Sequence, residues 1–245
     1  MPVVLVHGVP ETAHVWEPLV ARLGRSDVVT LSLPGFGCPR PAGFAATKEA
    51  YVGWLVDALR RIEGPIDLVG HDWGGGFVLR AVSQRADLVR TWVTDVAGMG
   101  DPGFRWHDNA RVWQTPGEGE QFWDAILAAP PEMRAMAMEA AGVPAPHALA
   151  LVEWIDRTMA DCILALYRSA VHVGEEWSPG FVAIPRPGLV LVPKDDAFLD
   201  HESARRGTAR AGATLRELDG LGHWWLLQDP ARAAGVLREF WDGVR

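Results

Sequence analysis

Cysteine, tyrosine and long apolar runs are scarce in this chain, and each scarcity excludes something. Two cysteines, Cys38 and Cys162, in 245 residues are too few for a disulfide framework or a zinc site. Both read as small apolar residues. No apolar run approaches the roughly 20 residues that a bilayer-spanning helix needs. No basic segment precedes Val3, so a secretory leader is not expected either. Basic residues are the minority charge, 23 against 31 acidic, for a net charge of −8. A field of that sign repels phosphate backbones, so nucleic acid is not an expected partner. The histidines show no metal-ligand spacing, and no metal or cofactor is expected. These exclusions leave the expectation of a cytoplasmic protein acting on a small-molecule substrate.

Apolar residues, by contrast, make up 49% of the chain and charged residues 22%, enough for the core of one α/β domain with a modest insertion. Short apolar runs read as strands at Val3–Val6, Val28–Leu33, Ile66–Val69, Thr91–Val96, Leu189–Val192 and Thr214–Leu218. Near-continuous hydrophobicity of this kind marks parallel strands covered on both faces. Helical patterns lie between them. Lys48–Ile62 carries Tyr51, Leu55, Ala58, Leu59 and Ile62 on one face, behind Thr47 as N-cap. Asp229-Pro230 starts a last helix that runs to about Asp242. The alternation predicts a doubly wound α/β sandwich. It breaks between Asp101 and Gly180. There, helical pieces at Arg105–Gln114, Gly119–Ala129, Pro131–Ala141, Pro146–Met159 and Met159–Val173 are punctuated by prolines. The expected organisation is a core of residues 1–100 and 181–245 with a helical cap, 101–180, inserted in it.

Chemistry concentrates in loops at strand ends. Gly70-His71-Asp72-Trp73-Gly74-Gly75 closes an apolar strand and opens a helix. One reactive side chain among small residues at a strand-to-helix turn is the layout of a nucleophile elbow, with Asp72 where ester hydrolases usually carry serine. A glycine-rich turn with a capping aspartate would use the same residues without chemistry. His7-Gly8-Val9-Pro10 follows the first strand, and the backbone N–H groups of Val9 and Trp73 are candidates for an oxyanion hole. Gly222-His223-Trp224 follows the last strand, from where His223 can reach a nucleophile at the carboxyl ends of central strands. Lys194-Asp195-Asp196-Ala197-Phe198 lies between, so the order along the chain is nucleophile, acid, histidine.

With these motifs, and Leu33-Pro34-Gly35-Phe36-Gly37 after the second strand, the chain resembles the α/β-hydrolase superfamily. More narrowly, it resembles the aspartate-nucleophile branch of epoxide hydrolases and haloalkane dehalogenases. The likeness runs from Val3 to about Trp241 and is weakest in 101–180. It implies an α/β-hydrolase fold with a helical lid, Asp72 as nucleophile, His223 as base and Asp196 as the acid that orients it. Asp95 is the rival acid, because some haloalkane dehalogenases take theirs from the preceding strand. A carboxylate nucleophile displaces a leaving group from saturated carbon and forms an alkyl-enzyme ester. Histidine-activated water then cleaves that ester. An epoxide or a carbon–halogen bond qualifies as substrate; an ordinary amide does not.

The leaving group separates these two. A ring-opened epoxide leaves an alkoxide and needs a proton donor, whereas a halide needs only hydrogen bonds, such as those of indole N–H. Ala165-Leu166-Tyr167-Arg168 resembles the epoxide-hydrolase lid motif, which implies Tyr167 as the acid; a packing aromatic is the plain alternative. The second lid tyrosine of that family is missing from Asn109–Gly117, where Asn109 stands in its place. Trp73, Asn109 and Trp113 are expected to touch substrate, with Trp106, Trp113 and Trp177 as candidate halide donors beside Trp73. Two dehalogenase subgroups fit poorly, since Val9 replaces their asparagine and Trp73 their arginine. His7 is expected to brace the oxyanion loop and His71 to be structural. His14, His107, His147, His172 and His201 are expected on the surface. The function so implied is hydrolysis of epoxides to vicinal diols. Dehalogenation of haloalkanes or halo-acids, and non-catalytic ligand binding in the same fold, are the alternatives.

The resembled family usually places an antiparallel hairpin before the His-Gly-x-Pro strand, and His7 leaves no room for one. About six strands, all parallel, are therefore expected, with Val28–Leu33 outermost beside Val3–Val6. An uncovered edge invites pairing. A loop or a second copy of the chain, as a homodimer, is expected to cover it; a gene start lying further upstream is the rival account.

Overall fold

A computed structural model describes Met1–Val244. Strands β1 (Val3–Val6), β2 (Val28–Leu31), β3 (Ile66–Gly70), β4 (Val89–Thr94), β5 (Gly188–Pro193) and β6 (Thr214–Leu218) form one sheet. Its order is β2-β1-β3-β4-β5-β6 and every pairing is parallel. Six parallel strands, with β2 outermost beside β1, match the expectation. All four residues of β1 are fully buried, as strands covered on both faces must be.

Two strands end short of their expected limits, for reasons that shape the site. β2 stops at Leu31 because the Leu33 N–H leaves the ladder and donates to His7 Nε2 at 3.0 Å. β4 stops at Thr94, whose Oγ1 accepts from Val96 N at 3.2 Å and turns the chain. Asp95 is thereby directed at the end of β3 rather than along the sheet.

Helices α1 (Glu17–Leu23), α2 (Lys48–Leu59) and α3 (Trp73–Arg85) alternate with the strands up to β4. The stretch between β4 and β5 holds α4 (Asp108–Gln114), α5 (Glu118–Ala128), α6 (Pro131–Ala140), α7 (Ala145–Val152), α8 (Arg157–Ser169) and α9 (Val173–Trp177). Then come α10 (His201–Ala211), α11 (Trp225–Gln228) and α12 (Pro230–Gly243). Packing of α1 on α12 and of α2 on α3 covers the sheet.

Local chemistry sets the ends of these helices. Thr47 Oγ1 caps α2 by accepting from Ala50 N at 3.3 Å. Its last turn tightens after Leu59, where Arg61 N and Ile62 N bond three residues back at 3.1 Å, so α2 ends short of Ile62. The helix expected over Pro146–Met159 is two: α7 ends at Val152, and Asp156 starts α8 by accepting from Met159 N at 2.8 Å. Arg168 of α8 makes a bidentate pair with Glu120 of α5, both contacts 2.7 Å, which locks the two helices together. Among the described residues no helix is long and apolar enough to cross a membrane.

Candidate active site

Asp72 joins β3 to α3 with φ 50° and ψ −127°, a region that non-glycine residues seldom occupy. Such a conformation costs about 1–3 kcal/mol and persists only when its surroundings enforce it. Here the enforcement comes from α3 lying on the backbone of β1: a Cβ on Gly74 would strike the carbonyl oxygens of Val6 and His7. The Asp72 N–H donates to Asp95 Oδ1 at 2.9 Å. Its carboxylate accepts from Val9 N at 2.9 Å, and the backbone N–H of Trp73 lies on the same side chain and helps to favour its charged form. The two backbone donors named from the sequence therefore converge on one side chain.

His223 faces it from the loop after β6. Nδ1 donates to Asp196 Oδ2 at 2.9 Å, leaving Nε2 at 3.8 Å from Asp72 Oδ2. Asp196 also accepts from Phe198 N at 2.8 Å, which fixes the carboxylate. Asp95, the rival, is committed elsewhere. Besides holding Asp72 N, it accepts from His71 Nδ1 at 2.6 Å and Trp225 Nε1 at 2.8 Å.

A second layer of charge lies under this arrangement, and half of it was not foreseen. Glu11, fully buried, accepts from His71 Nε2 at 3.2 Å and from the Trp224 indole N–H. Its only sequence signal is position: it is the carboxylate directly after His-Gly-x-Pro. Glu11, His71 and His223 bring potential metal-ligating atoms within 4.8 Å of one another. Those of Glu11 and His71 are engaged in the hydrogen bonds just described, so the cluster reads as an ionic network. His7 braces two loops, with Nδ1 donating to Gly8 O at 2.8 Å and Nε2 accepting from Leu33 N.

Burial and these neighbours set the charges. Burial pushes the Asp72 carboxyl up to about 6, against the pull of cationic His223 and His71 and of two N–H donors. Burial would lower His71, but Glu11 and Asp95 outweigh it and hold the ring well above its ordinary value, as a cation. His223 is likewise raised: burial opposes its charge, and Asp196 more than compensates. His7 is driven down to about 4 by burial and stays neutral.

Asp72, His223, Tyr167, Asn109 and Trp113 line one cavity of about 170 Å³. Its walls are largely apolar, built by α4–α8 and the Phe198 and Trp224 loops. Tyr167, buried, has its hydroxyl pushed well above its ordinary value by burial and then by the Asp72 charge. The Trp73 ring does not form the wall expected of it. It is fully buried behind Tyr167, edge-on to it at 5.5 Å between centroids, and contributes backbone instead. Of the other indoles, Trp106 is spent on Ala170 O at 2.9 Å. Trp177 packs on Gly76 and under Arg80, away from the cavity. Buried Trp113 Nε1 has no partner.

His107, expected on the surface, is a cavity residue. It caps α4: Nδ1 accepts from Ala110 N at 3.2 Å, which leaves the proton on Nε2. Burial, with the charge of His223, lowers it to about 4, so it faces the cavity as a neutral donor. The missing sequence signal is the cap itself, since histidine is not a usual capping residue.

A parallel sheet with a strained Asp elbow and a facing histidine defines a hydrolase of the α/β type. The family model described as "Alpha/beta hydrolase family" matches residues 3–236, and the chain belongs to that family. A curated relative, the (E)-2-((N-methylformamido)methylene)succinate hydrolase of Acinetobacter baylyi, is 30% identical over 91 residues. That match spans 36% of this chain and 35% of the relative's length. Epoxide hydrolase A from Mycobacterium thermoresistibile superposes with a TM-score of 0.72 at 23% identity, over 100% of this chain and 92% of that one. A haloalkane dehalogenase loop variant from Bradyrhizobium elkanii gives 0.73 at 16%, over 99% and 90%. An esterase from Thermogutta terrifontis gives 0.76 at 19%, over 100% and 90%. At these identities the structural likenesses establish the fold.

Proposed function

We propose that this hydrolase opens epoxides to vicinal diols through an ester on Asp72, with the helical block 101–180 serving as the lid. The observation that carries the reading is the shared cavity of Asp72, His223 and Tyr167. Val9 and Trp73 hold the carboxylate for attack, and Tyr167 protonates the alkoxide as the ring opens, with the His107 Nε2–H beside it as a second donor. Ester formation removes the Asp72 charge that helps to hold the His223 proton. The ring is then held less firmly in its protonated form, so neutral imidazole is available to take a proton from water, and the same two N–H groups stabilise the oxyanion as water attacks. Dehalogenation is the second reading, supported by the unpartnered indole N–H of Trp113 at the cavity. A panel of terminal epoxides, styrene oxides, bromoalkanes and fluoroacetate, assayed for diol and halide, separates the two. Halide without diol would overturn the epoxide reading.

Two predictions test the electrostatics. Asp72 reacts only when ionised, so kcat/KM should fall as pH drops through about 6, the level to which burial raises it. A limb centred near the ordinary carboxylate range would place the nucleophile elsewhere. Tyrosine ionisation should impose no falling limb below pH 10, because the Tyr167 hydroxyl sits well above that value.

The second concerns the orienting acid. In Asp196→Asn the imidazolium loses its partner and the tautomer its control, so ester hydrolysis should slow by about 100-fold or more while ester formation changes less. Asp95→Asn should appear mainly as lost stability, about 3 kcal/mol, because it strips one carboxylate from a buried ionic network. Single-turnover kinetics and thermal melts of the pair check this. Slower hydrolysis in Asp95→Asn than in Asp196→Asn would move the acid to the loop after β4.

A further inference from the structure

Among the described residues, Arg134 of α6 is the one lysine or arginine lining the cavity that holds Asp72. It is half-buried. Its Nη1 donates to Ile155 O at 3.1 Å, which anchors the guanidinium on the lid wall. Its Nε is buried with no partner, and no carboxylate among the described residues forms an ion pair with it. Two other arginines of the block are paired with carboxylates, Arg168 with Glu120 and Arg157 with Asp124, although the Arg168 Nε is likewise buried without a partner. The surroundings of Arg134 are apolar, with Phe122, Trp123, Ile126, Met138 and Ile155 on the same wall. A guanidinium set in such a wall without a counter-ion is unfavourable.

The donors left over have a defined shape. With Nη1 spent on Ile155, the free edge is Nε–H beside Nη2–H, two parallel donors that match the two oxygens of one carboxylate. Arg134 stands on the lid side and Asp72 on the sheet side, and the two form no ion pair. We infer that the cavity takes substrates carrying a carboxylate at the end remote from the reacting carbon, gripped side-on by the Nε and Nη2 edge of Arg134. The substrate class is therefore an amphiphilic acid: a carboxylate, an apolar span along Trp113 and Trp123, and an electrophilic carbon at Asp72. That the reacting carbon lies at Asp72 rests on the proposed function; the anion subsite rests on Arg134 alone.

Binding tests the subsite without turnover. Trp113 and Trp123 line the cavity, so intrinsic fluorescence reports occupancy. Hexanoate should bind the wild-type protein roughly 10- to 100-fold more tightly than hexanamide, the scale of a hydrogen-bonded charge pair. In Arg134→Met that preference should vanish with hexanamide binding unchanged, while Arg134→Lys keeps part of it by charge without the bidentate edge. Equal binding of acid and amide by the wild-type protein overturns the inference, and so does an undiminished preference in Arg134→Met. A turnover arm uses an aliphatic epoxide with a terminal carboxylate and its methyl ester. Hexanoate preference with neither epoxide hydrolysed rejects the epoxide reading and leaves the subsite standing. Hydrolysis of the ester as fast as the acid rejects the subsite and leaves the epoxide reading standing.

Discussion

Asp72→Ala is expected to abolish turnover, and His223→Gln to halt it one step later with substrate bound to the protein as an ester. On the proposed scheme the two losses differ because the residues serve different half-reactions. Without Asp72 nothing attacks carbon. Without His223 the carboxylate still sits under Val9 N–H at 2.9 Å and can still form the ester, but no base activates water. Losses of a nucleophile or its base in such assemblies run to about 10⁴-fold or more in kcat. Intact-mass measurement of His223→Gln after mixing with an epoxide should show the protein plus one substrate. In ¹⁸O-water, single turnover by the wild-type protein should leave label in the Asp72 carboxylate. Label confined to product, with Asp72 unlabelled, would mean direct attack of water on carbon and would remove the ester from the scheme.

Tyr167→Phe should slow diol formation by about 100-fold or more, the contribution of one general acid. Phenylalanine fills the same space against Trp73, Trp106 and Trp113, whose rings pack on Tyr167 at 5.5, 5.2 and 4.8 Å between centroids. Packing is therefore retained and the hydroxyl alone is lost. Any halide release should be nearly unchanged, because a departing halide takes no proton. The contrast between diol and halide within one variant is the informative readout. Undiminished diol formation would discharge Tyr167 from this role and promote the unpartnered indole N–H of Trp113 at a halide site.

The Asp72 elbow, the His223 loop and six parallel strands were legible in the chain because each is a local pattern. Glycines flank a reactive residue within five positions, and apolar runs keep their own bounds. Where strands ended early, at Leu31 and Thr94, a side chain from elsewhere or a turn bond had taken the next backbone group. The Trp73 indole kept its place in the motif and lost its expected role, because the first turn of α3 buries it behind Tyr167.

Local sequence thus determined that this chain builds a parallel α/β sheet and presents an aspartate at a strand-to-helix turn. Tertiary structure decided which groups act on that aspartate. Asp95 and Asp196 both follow strands and are equal as residue types, but only the fold delivers Asp196 to His223 at 2.9 Å and Asp95 to His71 at 2.6 Å. Glu11 and Trp224 stand 213 positions apart and share a hydrogen bond. His107 becomes a cavity donor because α4 consumes its other nitrogen, and Arg134 keeps a free edge because Ile155 lies where it does. The physical reason is common to all: the charge and hydrogen-bonding capacity of a buried group are set by what is packed against it. In this protein those neighbours come from distant segments of the chain, where no local pattern records the encounter.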